Sequence, residues 1–406
     1  MGVLVACKSV AVSVVVAVVL FAGSIVVIPA EAAVTTATII PSAVAGSVTD
    51  SFSDVECVSE SWCVAVGASD TGSAYRNLAM KWDGFSWTEL SVPNPGGTTR
   101  FLTAVSCTSE SWCVAVGTFE TNLVLSTQTL TWNGSTWTLV SSPNVPSASN
   151  ELSSVSCVSA NFCVAVGVTL SGNQFSNLAL HWDGVVWSLV QTPNIGVSHD
   201  QLKSVSCVSA SSCTAVGFSY AGSVYRTAAF TWNGSTWSIL PSPNIGSDSN
   251  LFNALVCEST TCTAVGYYGN GFVYQTLVMQ LTGSTWSIIS SPNLGSGSND
   301  LNSISCVTSN FCVAVGTVAN NSTIESLVLT WDGASWSAMP SPNVNGQLNY
   351  LQAVTCTSEY SCLAVGRVED PATAGTLTLA MQLTGIAPVP PDTTVPSTPV
   401  VPTFAG

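Results

Sequence analysis

The sequence is poor in charge, and poorest in positive charge. Its 406 residues include 7 Lys and Arg against 22 Asp and Glu, which gives a net charge of -15. Nucleic acids and anionic lipids are held by clusters of basic residues, so we expect neither a nucleic-acid partner nor a charged membrane surface. The polar surface must come from Ser, Thr, Asn and Gln, which suits an exported protein better than a cytosolic enzyme.

Residues that commonly carry catalysis are also scarce. The chain has two histidines, His181 and His199, and neither has a cysteine or serine partner in a recognisable arrangement. A sialidase-like site needs clustered arginines, but the chain has four, and Arg76 and Arg226 are far apart. No pair of carboxylates suited to glycoside hydrolysis can be recognised from spacing. We therefore predict no catalytic residue, no cofactor and no metal site.

One long apolar run is present, at the N-terminus. Lys8 precedes an apolar stretch that ends in the small-residue motif Ala30-Glu31-Ala32, as in a secretion signal cleaved before Ala33. We predict that residues 1–32 are a signal peptide. The alternative is an uncleaved membrane anchor, because an apolar run of about 20 residues is long enough to span a bilayer. No later segment is long and apolar enough, so we expect no membrane association after cleavage.

Cysteine is abundant and regularly spaced. Apart from Cys7 in the signal segment, the cysteines form seven close pairs, and the first members recur every 50 residues except for one step of 49. Even pairing in an exported chain indicates disulfides, whereas a zinc site needs four ligands that converge. The predicted disulfides are Cys57–Cys63, Cys107–Cys113, Cys157–Cys163, Cys207–Cys213, Cys257–Cys262, Cys306–Cys312 and Cys356–Cys362.

Each cysteine pair belongs to a repeat with four strand-like segments. In the second repeat these read "FLTAVSC", "CVAVGTF", "TQTLTWNG" and "STWTLVS", rich in β-forming residues and separated by turn formers. A period near 50 residues with four strands is typical of β-propeller blades, of which a ring has four to eight. The sequence predicts an all-β, seven-bladed β-propeller of four-stranded antiparallel blades, with an open solenoid as the alternative.

The two ends of the repeat region complement each other. The seventh repeat has three strands and ends with "LTLAMQLTG", without a fourth. The segment "TTATIIPSAV" at 35–44 aligns with the fourth strand "STWSILPSPN" at 235–244. We predict that this N-terminal strand completes the last blade, which removes an open sheet edge and closes the ring. The propeller then spans residues 33–385, and a Pro/Thr/Val-rich tail spans 386–406.

The repeat motif resembles known propeller families. An "AVG" strand followed by W-[DN]-G-x-x-W is similar to the repeats of Asp-box propellers, the group with sialidase-like, sortilin-type and photosystem-assembly-factor-type repeats. It is more similar still to cysteine-paired repeat proteins of exported bacterial type. The resemblance covers about residues 34–385 and departs from the full Asp-box pattern, S-x-D-x-G-x-x-W, by placing Asp or Asn directly before Gly.

Tryptophan recurs twice in most repeats, and a ring of indoles has two interpretations. The indoles are either platforms that stack on sugars or part of the core between blades. Leu281 and Leu383 replace the first Trp in the fifth and seventh repeats. A core tolerates this replacement and a stacking platform does not, so we predict core.

Antiparallel order assigns the loops to two faces. The cysteine hairpins and the Asp-Gly or Asn-Gly turns belong to one face, here called the first face. The second face holds the loops between second and third strands and the loops between repeats, where the variable residues lie and where we expect a ligand. Equivalent positions there give the candidate binding residues Tyr75, Arg76, Tyr225, Arg226, Tyr274 and Gln275.

Each second-face candidate has a simpler interpretation. A tyrosine beside arginine or glutamine can stack on and hydrogen-bond a sugar or peptide, but the same residues also occur at ordinary strand edges. The loop residues Asp200, Asp248 and Asp300 are candidates for Ca²⁺ ligands, or else members of solvated loops.

The composition and the fold together favour a secreted, non-catalytic binding or adhesion module. We expect a monomer at the cell exterior whose partner is a glycan or a protein. The alternatives are an extracellular glycoside-active enzyme, sialidase-like or another hydrolase, and a purely structural envelope component.

Overall fold

The computed structural model describes residues 18–21, 24–27, 34–42, 49–320, 322–371 and 375–385. Within the predicted signal segment it describes two short antiparallel strands, β1 (Val18–Phe21) and β2 (Ser24–Val27). The predicted cleavage site and the tail 386–406 lie outside the described residues. No described helix is long and apolar enough to cross a bilayer.

Every regular element in the described part of the chain is a strand. The first is β3 (Val34–Ile40). Repeat 1 contains β4 (Thr49–Ser59), β5 (Trp62–Asp70), β6 (Tyr75–Trp82) and β7 (Trp87–Glu89). Repeat 2 contains β8 (Thr99–Ser109), β9 (Trp112–Thr121), β10 (Val124–Trp132) and β11 (Trp137–Val140). Repeat 3 contains β12 (Ser149–Ser159), β13 (Phe162–Ser171), β14 (Gln174–Trp182) and β15 (Trp187–Leu189).

The later repeats follow the same order. Repeat 4 contains β16 (Asp200–Ser209), β17 (Ser212–Tyr220), β18 (Tyr225–Trp232) and β19 (Trp237–Ile239). Repeat 5 contains β20 (Asn250–Glu258), β21 (Thr261–Asn270), β22 (Val273–Thr282) and β23 (Thr285–Ile289). Repeat 6 contains β24 (Ser298–Thr308), β25 (Phe311–Asn320), β26 (Thr323–Trp331) and β27 (Trp336–Ala338). Repeat 7 contains β28 (Leu348–Ser358), β29 (Ser361–Glu369) and β30 (Thr376–Gly385).

The strands of each repeat form an antiparallel sheet in sequence order. In repeat 7 the outer neighbour of β30 is β3, with Ile39 opposite Met381 and Ile40 opposite Ala380. The first strand of each repeat contacts the first strand of the next, and β28 contacts β4. Repeated four-stranded antiparallel sheets packed face to face are the architecture of a β-propeller.

A glycine in each second strand allows the innermost two strands to approach closely. In repeat 1 a Cβ atom on Gly67 would lie 2.0 Å from the carbonyl oxygen of Ser51. A β-bulge follows at once, between Phe52 and Asp54, and it shifts which side chains of β4 point into the core. The glycine of the "AVG" motif is therefore a packing requirement of the inner hairpin.

The hydrophobic core lies between consecutive sheets. Trp132 and Trp137 are each 5% exposed and pack with residues from both repeat 1 and repeat 2. Their rings lie 5.5 Å apart, and the Trp132 Nε1–H donates to the carbonyl oxygen of Glu110 at 3.0 Å. The tryptophans are core residues, as predicted from the leucines that replace two of them.

The cysteines join the first two strands of each repeat. Cys107 lies directly opposite Cys113 in the ladder, and seven such disulfides are present in the described residues. We expected the cysteines to mark the strand ends, but β8 continues to Ser109 and β9 begins at Trp112. A register shift between Cys107 and Ser109 extends the hairpin, so the bridge pins it two residues before its turn. Five other repeats share this shift, whereas in repeat 5 Glu258 pairs with Thr261 directly after the bridge.

In five repeats the turn after the third strand is held by an acidic or amide side chain. Asp183 Oδ1 accepts the backbone N–H groups of Val185 and Val186 at 2.8 and 2.9 Å. These bonds lower the pKa of Asp183. The next residue, Gly184, has a φ of 99°, which favours glycine. In repeat 2 the amide oxygen of Asn133 accepts the same two bonds.

Removing this acceptor should destabilise the fold. We expect Asp183→Ala to lower the melting temperature, because two turn N–H groups lose their partner. Asp183→Asn is the matched control and should melt close to the unmodified protein, since Asn133 shows that an amide makes the same bonds. Thermal unfolding followed by circular dichroism measures both. Equal loss in the two variants would contradict the assigned role.

Candidate functional site

The predicted tyrosines lie on the second face, where the third strands begin. Tyr75, Tyr225 and Tyr274 occupy the first or second residue of β6, β18 and β22. Tyr75 is 36% exposed and Tyr274 is 50% exposed. These rings are large, partly apolar and open to solvent, so they are available to a ligand.

The polar residues beside these tyrosines already have protein partners. Arg76 forms an ion pair with Glu89. The guanidinium of Arg226 donates to the carbonyl oxygens of Ser247 and Asp248 at 3.0 and 3.1 Å. Gln275 accepts the hydroxyl of Tyr268. These three side chains therefore hold loops and strands in place, and the tyrosines are the more accessible members of each predicted pair.

The structure adds aromatic neighbours that the sequence pattern did not reveal. Phe175 of repeat 3 stacks on His199, with ring centroids 4.1 Å apart and an angle of 13° between the rings. His199 also meets the edge of Tyr225 at 5.4 Å, and Tyr225 contacts Phe218 and Tyr220 at 5.1 and 5.3 Å. One continuous aromatic cluster therefore joins repeats 3 and 4.

Repeat 5 contributes a separate aromatic pair on the same face. The rings of Tyr267 and Tyr274 lie 4.7 Å apart, and burial raises the pKa of Tyr267, with smaller contributions from Tyr274, Asp300 and Tyr225. We call the whole set the aromatic arc. It consists of Phe175, His199, Phe218, Tyr220, Tyr225, Tyr267 and Tyr274.

An open cleft lies beside the aromatic arc. Its volume is about 630 Å³, and it is bordered by the loop before repeat 4, the turn after β17 and the end of β19. Ile195, Val197 and Ile239 line it and are 42%, 82% and 46% exposed. Tyr220 of the arc and Arg226 line the same cleft. The second face thus combines exposed aromatic rings with an apolar recess.

The three loop aspartates do not form a common site. Asp200 is buried and accepts the N–H groups of Ile195 and Gly196. Asp248 accepts the N–H of Gly271 at 2.9 Å, and Asp300 accepts the Thr317 hydroxyl. Each therefore holds backbone or a neighbouring strand. The described residues contain no group of three or more His, Cys, Asp or Glu side chains arranged to hold a metal ion.

A second potential site is the channel between the innermost strands. Its volume is about 420 Å³, and its walls come from the first strand of every repeat. The walls include many Ser, Thr and Asn side chains. Their charged residues are Asp54 and Glu56 of repeat 1, Lys203 of repeat 4 and Glu258 of repeat 5. Burial raises the pKa of Asp54 to about 7 and that of Glu56 to about 8, and the charge of Asp54 adds to the second shift. Burial lowers the pKa of Lys203.

The equivalent residues in other repeats show why an acceptor such as Asp54 is needed at its position, but they do not account for a carboxyl at Glu56. Asp54 accepts the N–H of Val105 in the next repeat at 2.9 Å, as Ser154 accepts the N–H of Val205. Asp54 therefore performs the structural task of that position. Glu56 stands where most repeats have a hydroxyl that accepts a cysteine N–H of the next repeat, as Ser106, Ser156, Ser206, Ser305 and Thr355 do.

The two channel carboxyls, Asp54 and Glu56, should make the protein less stable as the pH rises. Because both pKa values are raised in the folded state, the stabilising neutral forms are lost as the pH rises towards about 8. We expect a loss on the order of 2 kcal/mol between pH 6.5 and 8, a range above the ordinary pKa of His181 and His199. Asp54→Asn with Glu56→Gln should flatten the change. Melting temperatures across this range measure it, and an unchanged slope in the double variant would contradict the assignment.

The chain is similar to solved β-propeller structures. YCF48 bound to a D1 peptide matches with a TM-score of 0.52 and 12% identity, over 86% of this chain and 96% of that chain. An ulvan lyase of family PL25, bound to -[GlcA(1-4)Rha3S]-, matches at 0.50 and 8% over 86% and 96%. The endosialidase of phage phi92 matches at 0.50 and 10% over 90% and 72%. No family model and no curated protein sequence matches. At these identities the likeness shows the fold, a β-propeller with repeated four-stranded sheets and, in this chain, paired cysteines.

Proposed function

We propose that this chain is an exported, monomeric binding or adhesion module that holds an extracellular glycan or protein on its second face. The observation that carries the proposal is the aromatic arc. Five aromatic side chains of repeats 3 and 4 form one contact network there, two tyrosines of repeat 5 form a pair on the same face, and the arc adjoins an open cleft. Aromatic rings bind by stacking and need no charge, which fits a chain with so few basic residues.

We propose that the binding face is carried by a closed ring of seven Asp-box-like blades. Two features support closure. β3 pairs with β30 as the fourth strand of repeat 7, and β28 contacts β4. The hydroxyl of Thr36 lies 2.9 Å from that of Thr384, and the hydroxyl of Ser42 lies 2.8 Å from that of Thr378. Closure would leave no unpaired edge in the last blade.

Export is supported by the cysteines. Seven disulfides in the described residues are typical of an oxidising compartment. We propose that residues 1–32 are removed on secretion and that the tail 386–406 is an extended spacer.

A second function is supported by the channel acids. Asp54 and Glu56 have raised pKa values. A glycoside hydrolase uses a protonated carboxyl as its acid and a nearby carboxylate as its base or nucleophile. In that case, substrate would enter the channel, and Glu56 would be the better candidate for the proton donor. Asp54 already has a structural role.

One screen distinguishes these functions. The mature protein is applied to panels of glycans, envelope polysaccharides and peptides, and hydrolysis is assayed in parallel. The binding module predicts retained ligand without turnover. Turnover that Glu56→Gln abolishes would identify the enzyme instead. Absence of both binding and turnover would contradict the proposal and favour a structural envelope component.

A further inference from the structure

The first-face end of each interface between consecutive repeats is packed with aromatic rings from two positions. One is the residue at the end of the third strand, for example Trp132. The other is a residue at the start of the second strand of the preceding repeat, for example Trp62. These two rings lie in one buried cluster between repeats 1 and 2. Trp112 with Trp182 and Phe162 with Trp232 repeat the arrangement.

Three further interfaces keep one of the two rings. Between repeats 6 and 7, the third strand of repeat 7 has Leu383 in place of the tryptophan. Phe311 at the start of the second strand of repeat 6 is present and only 2% exposed. Between repeats 7 and 1, the second strand of repeat 7 has Ser361 in place of an aromatic residue. Trp82 of repeat 1 is present, and the remaining cavity is about 10 Å³. Between repeats 5 and 6 a cavity of about 10 Å³ remains beside Trp331. One ring is therefore enough to fill the interface.

The interface between repeats 4 and 5 has neither ring. Ser212 and Leu281 occupy the two positions, and both line a cavity of about 300 Å³. Cys257, Cys262 and Leu281 border this cavity where Cys57, Cys63 and Trp82 border the 10 Å³ cavity between repeats 7 and 1. The same position in the fold is therefore open between repeats 4 and 5 and nearly filled between repeats 7 and 1.

The walls of the larger cavity combine apolar surface with polar groups, as the walls around an indole do elsewhere. In four repeats the tryptophan Nε1–H donates to the carbonyl oxygen of the first residue in the cysteine-hairpin turn, at 3.0 to 3.2 Å; these acceptors are Glu110, Ala160, Ala210 and Ser309. Ser259, with a φ of 56°, begins the turn of repeat 5, which is one residue shorter, and it lines the cavity. Leu240 and Leu281 supply apolar surface, and Thr214 and Thr231 supply hydroxyls.

We propose that this cavity binds the aromatic ring of a small indole-like ligand, a planar bicyclic group with one N–H donor. The ligand would take the place that a tryptophan side chain occupies in the neighbouring interfaces. The site lies on the first face, among the cysteine and glycine turns of repeats 4 and 5, so it is separate from the aromatic arc.

Indole itself is the probe that tests this proposal. Titrating the intact mature protein should raise its melting temperature and give saturable binding by calorimetry. N-methylindole, which lacks the N–H donor, should bind more weakly. Leu281→Trp should melt higher than the unmodified protein without indole, and adding indole should cause no further rise. No saturable indole binding, or an equal rise in the protein and in Leu281→Trp, would overturn the proposal.

The symmetric position supplies the matched control. Leu383→Trp makes the same substitution where Phe311 already fills the interface, so we expect it to lower the melting temperature and to leave indole binding intact. Ser212→Phe fills the cavity from the opposite wall and should block indole as Leu281→Trp does. This second variant tests the site if Leu281→Trp does not fold. Indole binding that persists in both cavity-filling variants would place the ligand elsewhere and contradict the proposal.

Discussion

Deleting residues 34–42 should lower the free energy of unfolding by roughly 5 kcal/mol or more, from the loss of several buried apolar side chains. Val34 is 4% exposed and lies in the core of repeat 7, where Ala37 and Ile39 also pack. The deletion also leaves β30 as an unpaired edge. Thermal and denaturant unfolding measure the effect, and we expect aggregation at high protein concentration.

The matched control for this deletion is a truncation after Pro388, which removes most of the tail. It should leave the melting temperature nearly unchanged, because the repeats are complete without it. Similar losses from the two truncations would contradict the proposal that β3 completes the last blade.

Replacing two tyrosines of the aromatic arc should have the largest effect on binding. We expect Tyr225→Ala with Tyr274→Ala to weaken binding of a ligand from the panels by about a hundredfold, since each exposed stacking ring contributes about 1.4 kcal/mol or tenfold. The melting temperature should change little, because Tyr274 is 50% exposed and Tyr225 is partly exposed. Calorimetric titration measures the affinity.

Asp183→Ala is the control for this double variant. It alters a turn on the first face, so it should lower stability and leave affinity within about twofold of the unmodified protein, well under 1 kcal/mol. Affinity that follows Asp183→Ala and ignores the tyrosines would show that the second face is not the binding face.

The repeat made much of the fold predictable. Cysteine spacing predicted pairs that lie directly opposite each other, as Cys107 and Cys113 do. The alignment of 35–44 with 235–244 predicted a fourth strand in the last blade, and Ile39 of β3 faces Met381 as Ile239 faces Phe230. Both predictions rest on positions that recur in every repeat and have the same neighbours each time.

The candidate sites were predictable only in part. Tyr225 was found because equivalent repeats share it, but Phe175 and His199 come from different segments that the loop between repeats brings together. Glu56 was missed because burial in the channel, and not its sequence position, sets its pKa. The cavity at Leu281 depends on Ser212 in another repeat, a pairing that only the packed structure shows.

The most direct test of the central claim is hydrogen–deuterium exchange of the mature protein with and without the tightest ligand from the panels. We predict that protection on binding concentrates in residues 172–176, 195–200, 218–226 and 267–275, which carry the aromatic arc and border its cleft. The cysteine hairpins and the Asp-Gly turns should exchange at unchanged rates. Protection confined to those first-face turns, or to the channel strands around Asp54, would contradict the proposed binding face.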